Sequence, residues 1–242
     1  MKQRLDKLLV LRGLAPTRER SQSLILAGVV LVNEQKIDKP GTLVDETANI
    51  RVIGADHPYV SRGGLKLEKA LQEFKISVQD KIALDVGAST GGFTDCLLQH
   101  GARKVYAVDV GYGQLAWKLK QDPRVVALER TNIRHVTPDL FKEKIQLAVI
   151  DVSFISLTKV LPVILDLLEP TAEIIALVKP QFEVGKGEVG KGGIVKSPEK
   201  HRQVLESLRQ FAEKLGLEVR GVIPSPIKGT KGNVEFLMFL AR

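Results

Sequence analysis

Leu84-Asp85-Val86-Gly87-Ala88-Ser89-Thr90-Gly91-Gly92-Phe93-Thr94 is the stretch on which the fold turns. An apolar run entering a cluster of glycines, followed by a second mixed run, reads as a strand, a tight turn and the start of a helix. Outward from it, strand candidates fall at 82–86, 104–109, 125–128, 147–151, 174–178, 217–222 and 234–240. Helical stretches lie between them at 93–100, 157–168 and 199–215. Such alternation predicts a parallel sheet with helices on both faces, a doubly wound α/β arrangement. No helix separates the last two strands, so the final strand is expected to run antiparallel to the rest.

The glycine turn predicts a ligand. Glycines admit a ligand close to the main chain, and a helix N-terminus offers unpaired N–H groups. Gly87, Ala88, Ser89, Thr90, Gly91, Gly92 and Phe93 are therefore candidate cofactor contacts, as is Asn132 after the third strand. Asp109 ends the next strand, eighteen residues beyond Gly91, where a carboxylate accepts hydrogen bonds from ribose hydroxyls in Rossmann-like folds. A dinucleotide fingerprint would need G-x-G-x-x-G, but position 89 is Ser, and Asp85 precedes the first glycine. A negative charge there disfavours a pyrophosphate and suits the amino and sulfonium groups of S-adenosylmethionine. The two carboxylates thus favour S-adenosylmethionine over a nicotinamide dinucleotide, and a dehydrogenase becomes the weaker alternative.

The first part of the chain has a different texture. Leu5, Leu8, Leu9 and Arg12 predict an amphipathic helix, and a second is expected over about 17–27, closed by Gly28. Short strands are expected at 29–33 and 49–53. The boundaries drawn are a small α+β domain over 1–56, a linker over 57–62 and the α/β domain over 63–242. The first twenty residues hold six bases (Lys2, Arg4, Lys7, Arg12, Arg18 and Arg20) against the acids Asp6 and Glu19. Charge focused in this way suits phosphate contact. Arg4, Lys7, Arg12, Arg18 and Arg20 are the candidate RNA contacts.

Composition excludes several classes. Lys and Arg number 36 against 28 Asp and Glu in 242 residues, a basic balance that suits a polyanionic partner. Cys96 is the single cysteine, so no intrachain disulfide and no cysteine-rich zinc site can form, and no metal is expected. No run approaches the roughly 20 apolar residues of a spanning helix. A cytoplasmic protein without a membrane partner is the expectation. Gly185-x-x-x-x-Gly190-Lys191 mimics a phosphate-binding loop, but Gly192 stands where Ser or Thr would hold magnesium. A flexible basic loop is the preferred reading there.

Polar residues end two apolar strands: Asp151 after Leu147–Ile150, and Lys179 after Ile174–Val178. Carboxyl ends of parallel strands line the ligand crevice. A reversed final strand would start at that same edge, bringing Glu235 to it. Lys66, in Ser61-Arg62-Gly63-Gly64-Leu65-Lys66-Leu67, lies just ahead of the nucleotide fold.

In order and context, Lys66, Asp151, Lys179 and Glu235 resemble the Lys-Asp-Lys-Glu tetrad of FtsJ-like ribose 2′-O-methyltransferases. Tyr59-Val60-Ser61-Arg62-Gly63-Gly64-Leu65-Lys66-Leu67, Asp151-Val152-Ser153-Phe154 and Lys179-Pro180-Gln181-Phe182-Glu183 resemble the TlyA family in particular. Its members carry the names hemolysin or ribosomal RNA cytidine-2′-O-methyltransferase. Arg4-Leu5-Asp6, Arg18 to Ser21 and Gly28-Val29-Val30-Leu31-Val32-Asn33 resemble the RNA-binding module of ribosomal protein S-four.

The resemblance implies methyl transfer from S-adenosylmethionine to a cytidine ribose of ribosomal RNA, with ribosomal RNA or ribosomal subunits as partners. The position of Arg4-Leu5-Asp6 near the start is similar to the shorter branch of the family, which implies large-subunit RNA only, while the family as a whole leaves small-subunit RNA open as an additional target. Lys179 is taken as general base, with Lys66 and Asp151 orienting it and Glu235 organising the pair or holding the ribose. A lysine can serve as base where burial and a neighbouring cation disfavour its protonated form. The alternatives are a pore-forming hemolysin and a catalytically silent ribosome-assembly factor.

Overall fold

The computed structural model describes residues 2–53, 57–185, 187–190, 192–229 and 232–242. It divides into two compact units, Met1–Ser61 and Arg62–Arg242. Lys191 of the glycine-lysine loop lies outside the described residues.

The first unit runs β1 (Lys2–Arg4), α1 (Leu5–Leu11), α2 (Arg18–Leu26), β2 (Val30–Val32), β3 (Gln35–Lys36), β4 (Leu43–Asp45) and β5 (Ile50–Val52). Strands β3, β2 and β5 form an antiparallel sheet in that order, while β1 pairs antiparallel with β4. Thr17 caps α2 by accepting a hydrogen bond from Arg20 N at 3.2 Å. Leu5, Leu9, Ile25 and Val30 are fully enclosed between helices and strands.

Beside that apolar core sits a buried charge. Asp6 is 0% exposed; its Oδ2 accepts from Arg4 at 2.9 Å and from Arg18 and Gln22 at 3.0 Å, and its Oδ1 accepts from Arg4 Nε at 3.0 Å. These partners, Arg4 first, hold the Asp6 carboxyl well below the usual carboxylate range against the opposing cost of burial. The network joins the start of α1 to α2, which the local sequence of either helix could not do.

The second unit runs α3 (Gly63–Phe74), β6 (Ile82–Val86), α4 (Gly92–Gln99), β7 (Lys104–Val108), α5 (Trp117–Lys120), β8 (Val125–Leu128), β9 (Ile145–Ile150), α6 (Leu161–Leu165), β10 (Leu168–Val178), α7 (Pro180–Glu183), α8 (Pro198–Lys214), β11 (Glu218–Pro224) and β12 (Phe236–Ala241). Its seven-stranded sheet has the order β11-β12-β10-β9-β6-β7-β8. β12 is antiparallel to both neighbours, and the pairs from β10 to β8 are all parallel. The central strands are buried on both faces, which is why Ile82–Val86 and Ile145–Ile150 read as nearly continuous apolar runs. The doubly wound fold with a reversed last strand is therefore the one expected.

Two segments depart from expectation. The helix expected over 157–168 is a 3₁₀ turn at Leu157–Lys159 followed by the short α6, because Pro162 starts a helix rather than continuing one. Leu168 already belongs to β10, whose register shifts between Leu168 and Glu173, around Pro170. The segment around Lys66, without an assigned element from sequence, is helix α3, with Gly64, Leu67 and Leu71 on its buried face. Among the described residues no helix is long and apolar enough to cross a membrane.

Replacing Asp6 by Ala should lower the stability of the first unit by about 1–3 kcal/mol, the usual cost of breaking a charge-assisted buried network. Amide exchange should accelerate in α1 and α2 while β6 and α4 keep their protection. Because Asp6 is depressed in the fold, the stability its ionised form confers is complete above about pH 4 and drains away as pH falls below that value. Unchanged exchange in α1 would refute the role given to this carboxylate.

Candidate functional site

Chain order makes the site. The chain leaves β6 for β7 and β8 on one side, then returns to β9 on the other, so the carboxyl ends of β6 and β9 flank the point where the winding reverses. Val86 and Ile150 are register partners, and Asp151 N donates to Val86 O at 2.9 Å. Gly87 follows with φ +87, and a Cβ on it would lie 2.4 Å from the Asp151 carbonyl oxygen. Only glycine fits there, for both the backbone angle and the space.

A cleft of about 440 Å³ opens at this point, lined by Gly87, Ser89, Asp109, Gln114, Asn132, Arg134, Asp151, Ser153 and Phe154 among others. Its volume lies within the usual range for small-molecule sites, about 300–1,000 Å³. Asp109 braces the glycine turn: Oδ2 accepts from Ser89 N and Oδ1 from Gly111 N, each at 2.7 Å. Each oxygen keeps a second lone pair for a ligand hydroxyl. Asn132 caps the 3₁₀ turn Ile133–His135, with Oδ1 accepting from Arg134 N at 3.1 Å.

The other expected cofactor contacts lie elsewhere. Thr90, Gly91 and Gly92 shape the turn into α4 without lining the cleft, as does Ala88; Phe93 is a core residue, 3% exposed. Asp85, expected to face the ligand charge, is off the cleft wall. Strand alternation sends Ile82, Leu84 and Val86 into the main core and Asp85 to the opposite face, where its Oδ2 accepts from Thr94 Oγ1 at 2.6 Å. It is fully buried, and its Oδ1 has no hydrogen-bond partner among the described residues. Burial pushes its carboxyl up to about 7, with the nearby charges of Asp151 and Asp109 adding to the rise.

At the other side of the sheet reversal the tetrad resolves into two ion pairs. Lys179 Nζ lies 2.5 Å from Asp151 Oδ1, and its directed hydrogen bond goes to Ser153 Oγ at 2.9 Å. Lys66 Nζ donates to Glu235 Oε2 at 2.7 Å, and both side chains are nearly buried. Lys179 follows Val178 and Glu235 precedes Phe236, and Val178 pairs with Phe236, so the antiparallel register sets Lys179 beside Glu235. Lys66 reaches this edge because α3 packs against α4 and β12. A Cβ on Gly229 would lie 1.9 Å from Glu235 Oε1, so the main chain of Gly229 packs directly against that carboxylate.

Ser153 and Phe154 belong to the site although no spacing rule singles them out. Phe154 is 90% exposed with φ +64, a backbone angle uncommon for a non-glycine residue, and its ring lies 5.0 Å from that of Phe182.

The expected RNA contacts of the first unit are largely engaged internally. Arg4 and Arg18 hold Asp6; Arg12 donates to the carbonyls of Ala48 and Glu46, and Arg20 to those of His57 and Tyr59. Lys7 is exposed. The side chains of Arg4 and Arg18 stay 42% and 48% exposed, so their outward N–H groups remain open to a phosphate.

Residues 59–242 match the FtsJ-like methyltransferase family, and residues 3–50 match the S4 domain. The chain belongs to the FtsJ-like methyltransferase family. It is 56% identical over 240 residues to "Putative rRNA methyltransferase YqxC" of Bacillus subtilis, covering 99% of this chain and 85% of that protein. It is 48% identical over 238 residues to the 16S/23S rRNA (cytidine-2′-O)-methyltransferase TlyA of Mycobacterium tuberculosis, covering 98% and 89%. Among solved structures, "Putative hemolysin from Streptococcus thermophilus" superposes with a TM-score of 0.80 at 48% identity, covering all of this chain and 88% of that one.

The buried Asp85 of this FtsJ-like unit generates a pH signature. Its carboxyl is raised in the fold, so the unfolded chain ionises first, and stability falls as pH rises from about 4 to about 7. Asp85→Asn removes that slope, which amounts to at most about 1.4 kcal/mol per pH unit. In denaturant titrations of the ligand-free protein, the variant should gain on the wild type across that window and hold a constant advantage above it. Parallel stability curves would show that Asp85 is not neutralised by the fold.

Proposed function

We propose that this protein transfers a methyl group from S-adenosylmethionine to the 2′-hydroxyl of a cytidine in ribosomal RNA. The observation that carries this reading is Lys179, paired with Asp151 and hydrogen-bonded to Ser153, two residues that line one cleft together with Asp109 and Asn132. The residues present fit the cofactor. Asp109 offers lone pairs to ribose hydroxyls, Asn132 and Gln114 offer polar groups beyond it, and Gly87 leaves the main chain open to close approach. When bound, S-adenosylmethionine supplies an activated methyl group and a neutral thioether as leaving group.

The chain's own task is then to create the nucleophile. A ribose hydroxyl is a poor acid, so its proton must be taken as it attacks. Lys179 Nζ takes that proton, and Asp151 stabilises the ammonium that results at 2.5 Å. Lys66 and Glu235 form the neighbouring pair. In this reading the Lys66 ammonium stabilises the oxyanion as it develops, while Glu235 holds Lys66 at 2.7 Å.

Recognition of RNA is assigned to both units. The S4-like unit supplies Arg4, Lys7 and Arg18 to phosphates, and ribosomal RNA or a ribosomal subunit in the cytoplasm is the proposed partner. At the cleft, the exposed ring of Phe154 offers a face for an unstacked base.

Lys179→Ala and Asp151→Ala should each abolish transfer of tritiated methyl to ribosomal RNA while binding of RNA and cofactor stays close to wild type. A folded Lys179→Ala protein with full activity would remove the mechanism. Mapping 2′-O-methyl groups on both ribosomal RNAs from cells with and without the gene identifies the cytidine. Phe154→Ala should raise the KM for RNA by about tenfold, equivalent to about 1.4 kcal/mol of lost stacking, and leave cofactor affinity intact; an unchanged KM would exclude base contact there.

A further inference from the structure

A neutral lysine amine has two N–H bonds and one lone pair, arranged tetrahedrally with Cε around Nζ. A base is productive only when that lone pair points at the proton it removes. One directed hydrogen bond holds the amine against rotation about the Cε–Nζ bond and leaves two staggered positions for the lone pair. A carboxylate beside the amine disfavours the position in which the lone pair would face it, and so selects the other. Lys179 has both: its directed hydrogen bond goes to Ser153 Oγ at 2.9 Å, Asp151 Oδ1 lies 2.5 Å away as its ion-pair partner, and both residues line the cleft.

The hydrogen-bond acceptor is not a by-product of the sheet. β9 ends at Ile150, so Ser153 stands in the turn beyond it, where strand pairing does not dictate position. That turn is fastened instead to the segment that begins with Lys179. The ring of Phe154 lies against Phe182 at 5.0 Å; Ser156 Oγ donates to Glu183 Oε2 at 2.6 Å, and Leu157 N donates to Glu183 Oε1 at 2.9 Å. The left-handed backbone of Phe154, at φ +64, is strain of the kind that persists only where surrounding contacts enforce it. The same short helix that carries Lys179 at its start thus holds the hydroxyl that meets Lys179.

We infer that Ser153 is a positioning residue for Lys179, fixing the amine so that its lone pair faces the ribose hydroxyl. The inference rests on the reading of Lys179 as general base. In the step itself, the resting ammonium first gives one proton to solvent. The amine then takes the 2′-hydroxyl proton as the new O–CH₃ bond forms and the S–CH₃ bond breaks. Ser153 Oγ accepts from Nζ throughout and Asp151 stays its ion-pair partner, so no proton passes through the serine.

Ser153→Thr and Ser153→Val test this with side chains of nearly equal shape, differing in the hydroxyl; Ser153 is exposed, so either fits. Ser153→Ala gives the simple deletion. In single-site methyl transfer to ribosomal RNA, the Val and Ala variants should lose about tenfold in kcat, the scale of one orienting hydrogen bond. Their KM for RNA and their calorimetric Kd for S-adenosylmethionine should stay at wild-type values, and Thr should restore kcat. The inference is overturned if Val and Ala keep full kcat, if Thr fails alongside them, or if the loss lies in the cofactor Kd. Lys179→Ala in the same assay separates the two readings. An inactive Lys179→Ala with a fully active Ser153→Val removes only the positioning role, whereas an active Lys179→Ala removes the base.

Discussion

The site depends on the approach of two backbones at the reversal of the sheet. β6 and β9 are parallel neighbours, and the carbonyl of Asp151 lies where a side chain on Gly87 would have to be. This contact sets the glycine turn and Asp151 at one edge, so Ser89, Asp109 and the partner of Lys179 line the same cleft. Any residue larger than glycine would separate them, because the carbonyl belongs to main chain held by the Val86–Asp151 hydrogen bond and cannot swing aside.

Among the charges buried in the described residues, three places show different physical balances. Asp6 is ionised because two guanidiniums and an amide surround it. Asp85 is fully buried, with Thr94 Oγ1 donating to its Oδ2 and no partner for its Oδ1 among the described residues, and burial pushes its carboxyl up to about 7. Lys66 and Glu235 keep each other company in a nearly dry setting, an arrangement that replacement by apolar residues often improves in stability. A pair retained against that alternative, beside a cleft and next to Lys179, fits chemistry better than it fits stability.

Much of the fold was legible in the sequence. The alternation of apolar runs and helical stretches from Ile82 onward gave the doubly wound sheet, and the missing helix between the last two strands gave the reversal of β12. Boundaries failed where proline intervened, at Pro162 and Pro170, since apolar content alone does not distinguish a broken helix from a strand. α3 escaped notice because its two opening glycines read as loop, although Gly64, Leu67 and Leu71 lie on one helical stripe.

The sequence by itself determined the chemistry available: a glycine turn, acidic residues at strand ends, two lysines and a reversed final strand on which to gather them. Tertiary structure alone decided how they combine. Strand alternation turned Asp85 away from the cleft, antiparallel register set Glu235 beside Lys179, and packing of α3 brought Lys66 across 169 residues to Glu235. It also committed most of the basic N-terminal side chains to Asp6 and to backbone carbonyls. The physical reason is common to all of these. A residue's type fixes which bonds it can make, but whether a charge faces water, a ligand or a partner depends on distances between segments far apart in the chain.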